Sequence, residues 1–130
     1  MVSRTTECTA AIREGQKAKA KQFVEAAETV EALADDANDF ADAYVTLCVH
    51  AGIAAANVIC YKRLGEHSRG EDHTGAVALV GSASETAAKN LRDLLSMKTK
   101  AGYSAVPASG TDYKRAGRAA RALVEEAARP

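Results

Sequence analysis

Hydrophobic positions recur along this chain with the three- to four-residue spacing of amphipathic helices. Over residues 8–34, apolar side chains such as Phe23, Ala27 and Val30 follow this spacing, and lysines and glutamates lie between them. The pattern predicts a first helix. A run of Asp and Asn residues comes next and can supply turn and N-cap oxygens, so a second helix is predicted to begin near Asp39.

The second predicted helix contains a long uncharged stretch. From Ala43 to Tyr61, nineteen residues include no Asp, Glu, Lys or Arg, and as a helix they would span roughly 28 Å. Lys62 and Arg63 suit the last turn, and Gly65 suits the end. Because the stretch contains polar residues and many alanines, no membrane span is expected. A helix apolar on all sides is typical of one that is enclosed by protein.

Two more helices are predicted after a polar loop at 66–72. The third runs from His73 to Val80. Ser82 and Glu85 have the spacing of a capping box and predict the start of a fourth helix. Its apolar face is predicted to consist of Ala87, Ala88, Leu91, Leu94, Leu95 and Met97.

A last helix follows a loop at 102–110, where Ser109 or Thr111 can provide the N-cap. Its predicted apolar face comprises Ala116, Ala119, Ala120, Leu123, Val124 and Ala127. The helical periodicity and the scarcity of Pro and Gly within the helical stretches predict an all-α fold, a four- to five-helix up-and-down bundle. At 130 residues, one domain over residues 1–130 is expected.

Composition indicates a core of small aliphatic side chains. Hydrophobic residues make up 47% of the chain, aromatic residues 5%, and there is no Trp, which favours closely packed Ala-rich helices. Cys48 and Cys60 would lie roughly 18 Å apart along one helix and cannot form a disulfide with each other. We expect these cysteines and Cys8 to be buried hydrophobes. Without a disulfide framework or a leader-like segment, a cytoplasmic location is expected.

The charges are distributed unevenly although the net charge is zero. Residues 1–85 hold eight Lys or Arg against thirteen Asp or Glu, and residues 86–130 hold nine against four. Such a division suits complementary faces within one bundle or between two subunits. Together with the all-round apolar helix, Ala51, Gly52 and Ala55 predict a homodimer through the 43–61 helix, because small residues permit close approach.

Motifs for common chemistries are absent from the sequence. No GxGxxG, Walker, GxSxG or HExxH pattern occurs, so no cofactor is predicted. His67 and His73 flank two acidic residues, but no His pair at i, i+4 and no Cys pair fixes a geometry, and no metal site is predicted. His50 lies two residues from Cys48, on a different helix face, and is expected to be a core or interface histidine.

The order of these signals resembles that of HEPN (higher eukaryotes and prokaryotes nucleotide-binding) domains. The stretch "CVHAGIAAANVICYKRLGEHSRGEDHTGAVALV" resembles the long helix with a central His-Ala, followed by a polar loop and a His-initiated short helix. "LRDLLSMKTKAGYS" and "SGTDYKRAGRAARALVEEA" resemble the next aliphatic helix, the tyrosine-bearing turn and the final Ala-rich helix. The resemblance covers roughly Asp39 to Ala128. It implies a dimeric helical bundle that associates with nucleotides or RNA, or an RNase.

One departure from the family pattern argues against RNA cleavage. RNase members place an Arg four to six residues before a His near the end of an aliphatic helix. The matching segment here, 97–103, offers Lys98 without a downstream His, and Tyr103 stands where the His would be sought. A non-RNase variant is therefore expected.

Candidate ligand-binding residues are the basic, His and Tyr side chains near the ends of the second and fourth helices. They are Lys62, Arg63, Arg69, His73, Lys98, Lys100 and Tyr103. The leading hypothesis is a non-catalytic dimeric module that binds a nucleotide or RNA.

Two alternatives remain open. In one, the chain is an RNase in which His73 is the base for a ribose hydroxyl and Arg69 holds the phosphate, although the neighbouring acidic pair at 71–72 would repel that phosphate. In the other, it is an accessory protein that binds DNA or RNA through the cations of the last helix. Those cations are Lys114, Arg118 and Arg121.

Overall fold

The computed structural model describes residues 5–7, 9–36, 38–68 and 73–129. Over these residues the chain forms five helices and one short two-stranded ladder, and the all-α prediction is confirmed. The elements are β1 (Thr5–Glu7), α1 (Ala10–Leu33), α2 (Ala41–Leu64), β2 (Glu66–Ser68), α3 (His73–Ala83), α4 (Glu85–Gly102) and α5 (Gly110–Ala128).

α2 is the central helix of the bundle. α1, α4 and α5 pack around it, and most of its residues between Tyr44 and Tyr61 are buried. By length and composition alone α2 could cross a membrane, but 67% of its most apolar window is buried inside the chain. Burial by its own bundle explains why this helix has no polar face.

α1 packs antiparallel along α2. Near the start of α1, Gln16 contacts Asn57, whose amide nitrogen lies 3.5 Å from the Gln16 oxygen. Further along, Phe23 stacks on His50, with ring centroids 5.3 Å apart. His50 is exposed and its ring lies over α1 at the surface, so a core position is wrong, and an interface position stays a prediction.

α3 runs beside α2 in the same direction and antiparallel to α4. At its end, the Ala83 carbonyl accepts a 2.6 Å hydrogen bond from Arg63, in the last turn of α2. At its beginning, His73 contacts Lys98 in α4. The end of α3 therefore lies beside the end of α2, and its beginning lies beside the last turns of α4.

β2 lies in the segment that the sequence predicted as a loop. It pairs antiparallel with β1, with Thr6 opposite His67. Three residues of each strand take part, and the buried hydrophobic cluster belongs to the helices and the α4–α5 connection. β2 packs against α2 and α3, and this short ladder does not change the fold class.

The N-caps of α2 and α4 differ from those predicted. Ser84, not Ser82, caps α4, and its hydroxyl accepts a 3.1 Å hydrogen bond from the Ala87 amide. Ser82 lies within α3 and donates to the Ala78 carbonyl. α2 begins after Phe40, without a side-chain cap.

Other predicted helix ends are confirmed. Gly65 ends α2 with a φ of 73°, in the left-handed region that favours glycine. Ser109 caps α5 in a capping box with Asp112. The predicted apolar faces of α4 and α5 are buried, apart from Leu95 and Val124, which are half-buried.

The small residues assigned to a dimer interface are covered within the single chain. Ala51, Gly52 and Ala55 are buried, and Leu94 and Leu123 pack over the Gly52 backbone. A second copy is therefore not needed to explain these three positions. The homodimer stays a prediction, and its contact surface would lie elsewhere on α2.

Candidate ligand-binding cleft

A cleft of about 320 Å³ lies beside α2, between the first half of α1 and the pair formed by α3 and α4. We call it the central cleft. Ile53, Ala56 and Leu91 contribute to its apolar wall. Gln16, Asn57, His67, His73 and Lys98 supply its polar groups, and none of the described residues that line it is acidic.

The cleft contains a direct contact between a histidine and a lysine. His73 Nε2 lies 2.9 Å from Lys98 Nζ. An ammonium group can only donate, so Nε2 of a neutral His73 ring accepts this hydrogen bond and the ring proton sits on Nδ1. The arrangement places the positive charge of Lys98 and the Nδ1–H donor of His73 at the same edge of the cleft.

The opposite side of the cleft carries amide groups. The Asn57 side-chain nitrogen donates a long hydrogen bond of 3.5 Å to the Gln16 side-chain oxygen. Each amide has further donor and acceptor capacity. Both could hydrogen-bond a ligand that offers donors and acceptors on one edge.

His67 and Cys60 occupy the end of the cleft nearest the β ladder. The His67 ring meets Tyr61 edge-on, with centroids 4.5 Å apart. Burial raises the pKa of the Cys60 thiol to about 12, with a smaller contribution from Glu66. Because the thiolate is the reactive form, burial disfavours nucleophilic reactivity at Cys60.

Lys62 and Arg63 lie outside the central cleft. Lys62 donates to the Ala127 carbonyl at 3.1 Å and to the Arg129 carbonyl. Arg63 donates to a carbonyl at the end of α3 and lies 3.9 Å from the Glu126 carboxylate. These two cations hold together the ends of three helices.

Lys100 and Tyr103 also lie away from the cleft. Lys100 Nζ lies 2.8 Å from Asp112 Oδ2 in the first turn of α5. That ion pair, followed by the Ser109 amide, lowers the pKa of Asp112 to about 2. The Tyr103 side chain follows α4 and is 81% exposed.

Arg69 lies outside the described residues, as do the acidic residues at 71–72. The predicted pairing of Arg69 with His73 is therefore without a structural description. Among the residues that the structure does describe, no group of three or more His, Cys, Asp and Glu side chains could hold a metal ion.

The cations of α5 border a different groove, of about 310 Å³, between α5 and the end of α1. Lys114 and Arg118 are exposed there. Arg121 Nη2 lies 2.9 Å from Glu31 Oε1 and 3.4 Å from the Tyr44 hydroxyl. The groove is basic, but one of its three cations is already paired.

Sequence reasoning missed Gln16 and Asn57 as site residues and did not pair His73 with Lys98. Both amides lie on helices that were predicted from their apolar residues. The polar residues beside those apolar faces were not considered as site residues. The antiparallel packing expected of an up-and-down bundle could have placed residues early in α1 beside the end of α2. No local signal connects His73 with Lys98, 25 residues away.

Comparison of the chain with protein-family models found no match. No curated protein and no solved structure matches it either. The resemblance to HEPN domains stays a prediction, and a functional proposal has to rest on the geometry of the central cleft.

Proposed function

We propose that this protein is a non-catalytic, HEPN-like helical-bundle module that binds a nucleotide in the central cleft. The observation that carries the proposal is the contact between His73 and Lys98 at the edge of the cleft, beside its apolar wall. A phosphate group at this edge would accept charge-assisted hydrogen bonds from both side chains. The sequence resemblance points to the same ligand class.

The electrostatics of the cleft support an anionic ligand. Lys98 is half-buried, and no described acidic residue lines the cleft to compensate its charge. A charged group in partly desolvated surroundings is stabilised by a counter-charge. The ligand phosphate would supply that charge.

The size and lining of the cleft support a small nucleotide. Its volume of about 320 Å³ is near the lower end of the range for ligand pockets, which suits a nucleoside monophosphate better than a dinucleotide cofactor. Ile53, Leu91 and Leu95 offer an apolar surface for a base. Asn57 and Gln16 offer the donors and acceptors that a base edge requires.

The chemistry of the lining supports binding without catalysis. Catalysis by a nucleophile needs an activated side chain beside a base. Burial favours the thiol form of Cys60, and His73 Nε2 contacts a lysine, Lys98. The described lining residues thus offer donors for an anion and include no activated nucleophile beside a base, which supports a binding role.

Calorimetric titration with the four common ribonucleoside monophosphates tests the proposal. We expect saturable binding of at least one of them, and the Lys98→Ala variant should bind it more weakly by roughly 10- to 150-fold, because a hydrogen bond to a charged group contributes about 1.5–3 kcal/mol. Lys89→Ala is the matched control, since Lys89 is an exposed lysine of α4 outside the cleft. Absence of saturable binding at millimolar concentration would refute the proposal.

The RNase alternative gains one supporting observation. Lys98 places a cation beside His73. A cation is therefore present next to this histidine independently of where Arg69 lies. If the chain cleaves RNA, His73→Ala and Arg69→Ala should each abolish cleavage. If it does not, the wild-type protein leaves a single-stranded RNA intact, as we expect.

Nucleic-acid binding through α5 is the other alternative, supported by the exposure of Lys114 and Arg118. Phosphate contacts strengthen at low salt. A gel shift at low salt that disappears in the Lys114→Ala/Arg118→Ala double variant would favour this alternative. No shift at low salt would exclude it.

The predicted homodimer through α2 can be tested at the positions of this helix that the chain leaves partly uncovered. Leu47 is half-buried and His50 is exposed. The Leu47→Glu/His50→Glu double variant should convert a dimer into a folded monomer, as measured by sedimentation. Wild-type protein that sediments as a monomer at micromolar concentration would refute the prediction.

A further inference from the structure

A second apolar depression lies on a different face of the bundle from the central cleft. It has a volume of about 350 Å³ and lies between α1 and α5, which both pack on α2. We call it the α1–α5 groove. Ala18, Ala20, Val58, Val124, Ala127 and Ala128 form its apolar lining.

Cations surround the apolar lining of the groove. Lys17 and Lys21 line it directly. Lys62 adjoins it, because its ammonium group donates to the carbonyl of the lining residue Ala127. Burial, then the neighbouring charges of Arg63, Lys17 and Arg13, lower the pKa of Lys62. Lys17 is thus close enough to Lys62 to repel it, and Glu126 offsets part of this effect.

Carboxylates compensate this charge only in part. Glu14 lines the groove. Glu25 lies 4.0 Å from Lys21, and Glu126 lies 3.9 Å from Arg63. No described ion pair involves Lys17 or Lys62. Positive charge therefore remains beside the apolar lining of the α1–α5 groove.

We infer that the α1–α5 groove binds an anionic amphiphile, a free carboxylate carried on an aliphatic chain. The apolar lining would cover the chain, and the carboxylate would lie among Lys17, Lys21 and Lys62. The groove volume corresponds to a small molecule in the usual range of ligand pockets, and the surrounding charge selects an anion. This inference is independent of the proposed nucleotide site.

Calorimetric titration of the wild-type protein with decanoate, below its micelle concentration, tests the inference. We expect one molecule per chain, and roughly fourfold weaker binding for each methylene removed in nonanoate and octanoate, because each buried methylene contributes a constant increment. Decyltrimethylammonium, with the same chain and the opposite charge, should bind at least tenfold more weakly. No saturable binding of decanoate, or equal binding of the cation, would overturn the inference.

Variants locate the ligand. Ala18→Trp fills the groove from an exposed position and should weaken decanoate binding at least tenfold, whereas Ala32→Trp, an exposed alanine of α1 outside the groove, should leave it unchanged. Lys17→Glu should weaken binding at least fivefold, with Lys89→Glu as its control. Unchanged binding by Ala18→Trp would overturn the assignment to this groove. Because Lys98→Ala leaves the groove intact, unchanged decanoate binding by that variant separates this site from the nucleotide site.

Discussion

The side chain of Leu94 packs directly over the backbone of Gly52, in the space that a Cβ atom at position 52 would occupy. Leu123 approaches the same position from α5, with its Cδ1 atom 3.2 Å from where that Cβ would lie. A glycine at this point lets α4 and α5 come close to α2. The absence of a side chain in the middle of the central helix is therefore a packing requirement.

Gly52→Ala is expected to destabilise the protein by about 1–2 kcal/mol, because the overlap with Leu94 outweighs the gain in helix propensity. Gly15→Ala is the matched control: no atom lies within 4 Å of its added methyl group, so the propensity gain of about 0.5–1 kcal/mol should appear in full. Urea denaturation measures both. In a Leu94→Ala background the cost of Gly52→Ala should largely disappear. Equal effects of the two glycine substitutions would contradict this account.

The Asp112–Lys100 pair is expected to make stability depend on acid pH. The pKa of Asp112 falls from 3.8 to about 2 on folding, so its contribution is complete above about pH 5 and is lost as the pH drops through 2. Because Lys100 is partly exposed, we expect a contribution of about 1–2 kcal/mol. Urea denaturation of wild type and Asp112→Asn should show this difference at pH 6 and a much smaller one near pH 2. A difference that is constant over this range would be inconsistent with the ion pair.

The two described cysteines are expected to be unreactive in the native state. Burial raises the pKa of Cys48 to about 11 and that of Cys60 to about 12, so almost no thiolate is present at pH 8. A Cys8→Ser variant, which leaves these two thiols, should react with a chromogenic disulfide reagent only after addition of denaturant. Rapid release of colour by the native variant would show that one of the two thiols is accessible.

Filling the central cleft is expected to abolish nucleotide binding without unfolding the protein. Ala76 lines the cleft from α3 and is half-buried, whereas Ala78 on the same helix is exposed and lies outside the cleft. Ala76→Phe should lower nucleotide affinity at least tenfold, because the new ring occupies the space of the base, and should change the unfolding free energy by less than about 1.5 kcal/mol. Ala78→Phe should bind like wild type. Full binding by Ala76→Phe would place the nucleotide elsewhere.

Local features of the sequence determined most of the helices. The buried face of α5, the cap at Ser109 and the left-handed end at Gly65 all follow from spacing and residue type within a few positions. Errors of cap assignment occurred where several polar residues compete. Ser82 and Ser84 both precede an acidic residue, but α3 extends to Ala83 and includes Ser82, so Ser84 is the residue that caps α4.

The residues of the central cleft could not be predicted from sequence spacing, because they come together through contacts between distant helices. Lys98 and Lys100 look like neighbours in the sequence, yet two residues turn a helix by about 200°. Lys98 therefore contacts His73 in α3, and Lys100 contacts Asp112 in α5. The partner of each lysine is set by which helix packs on that side of α4.

The sequence by itself determined that α2 must be enclosed by protein, because its uncharged residues leave no side of the helix suited to water. Only the tertiary structure decided what encloses it. Leu94 and Leu123 reach Gly52 from helices far along the chain, and this close approach lets one copy of the chain bury positions that sequence reasoning had assigned to a second. The spacing of apolar residues indicates which face of a helix is buried. Which residues cover that face depends on how distant segments of the chain pack in three dimensions.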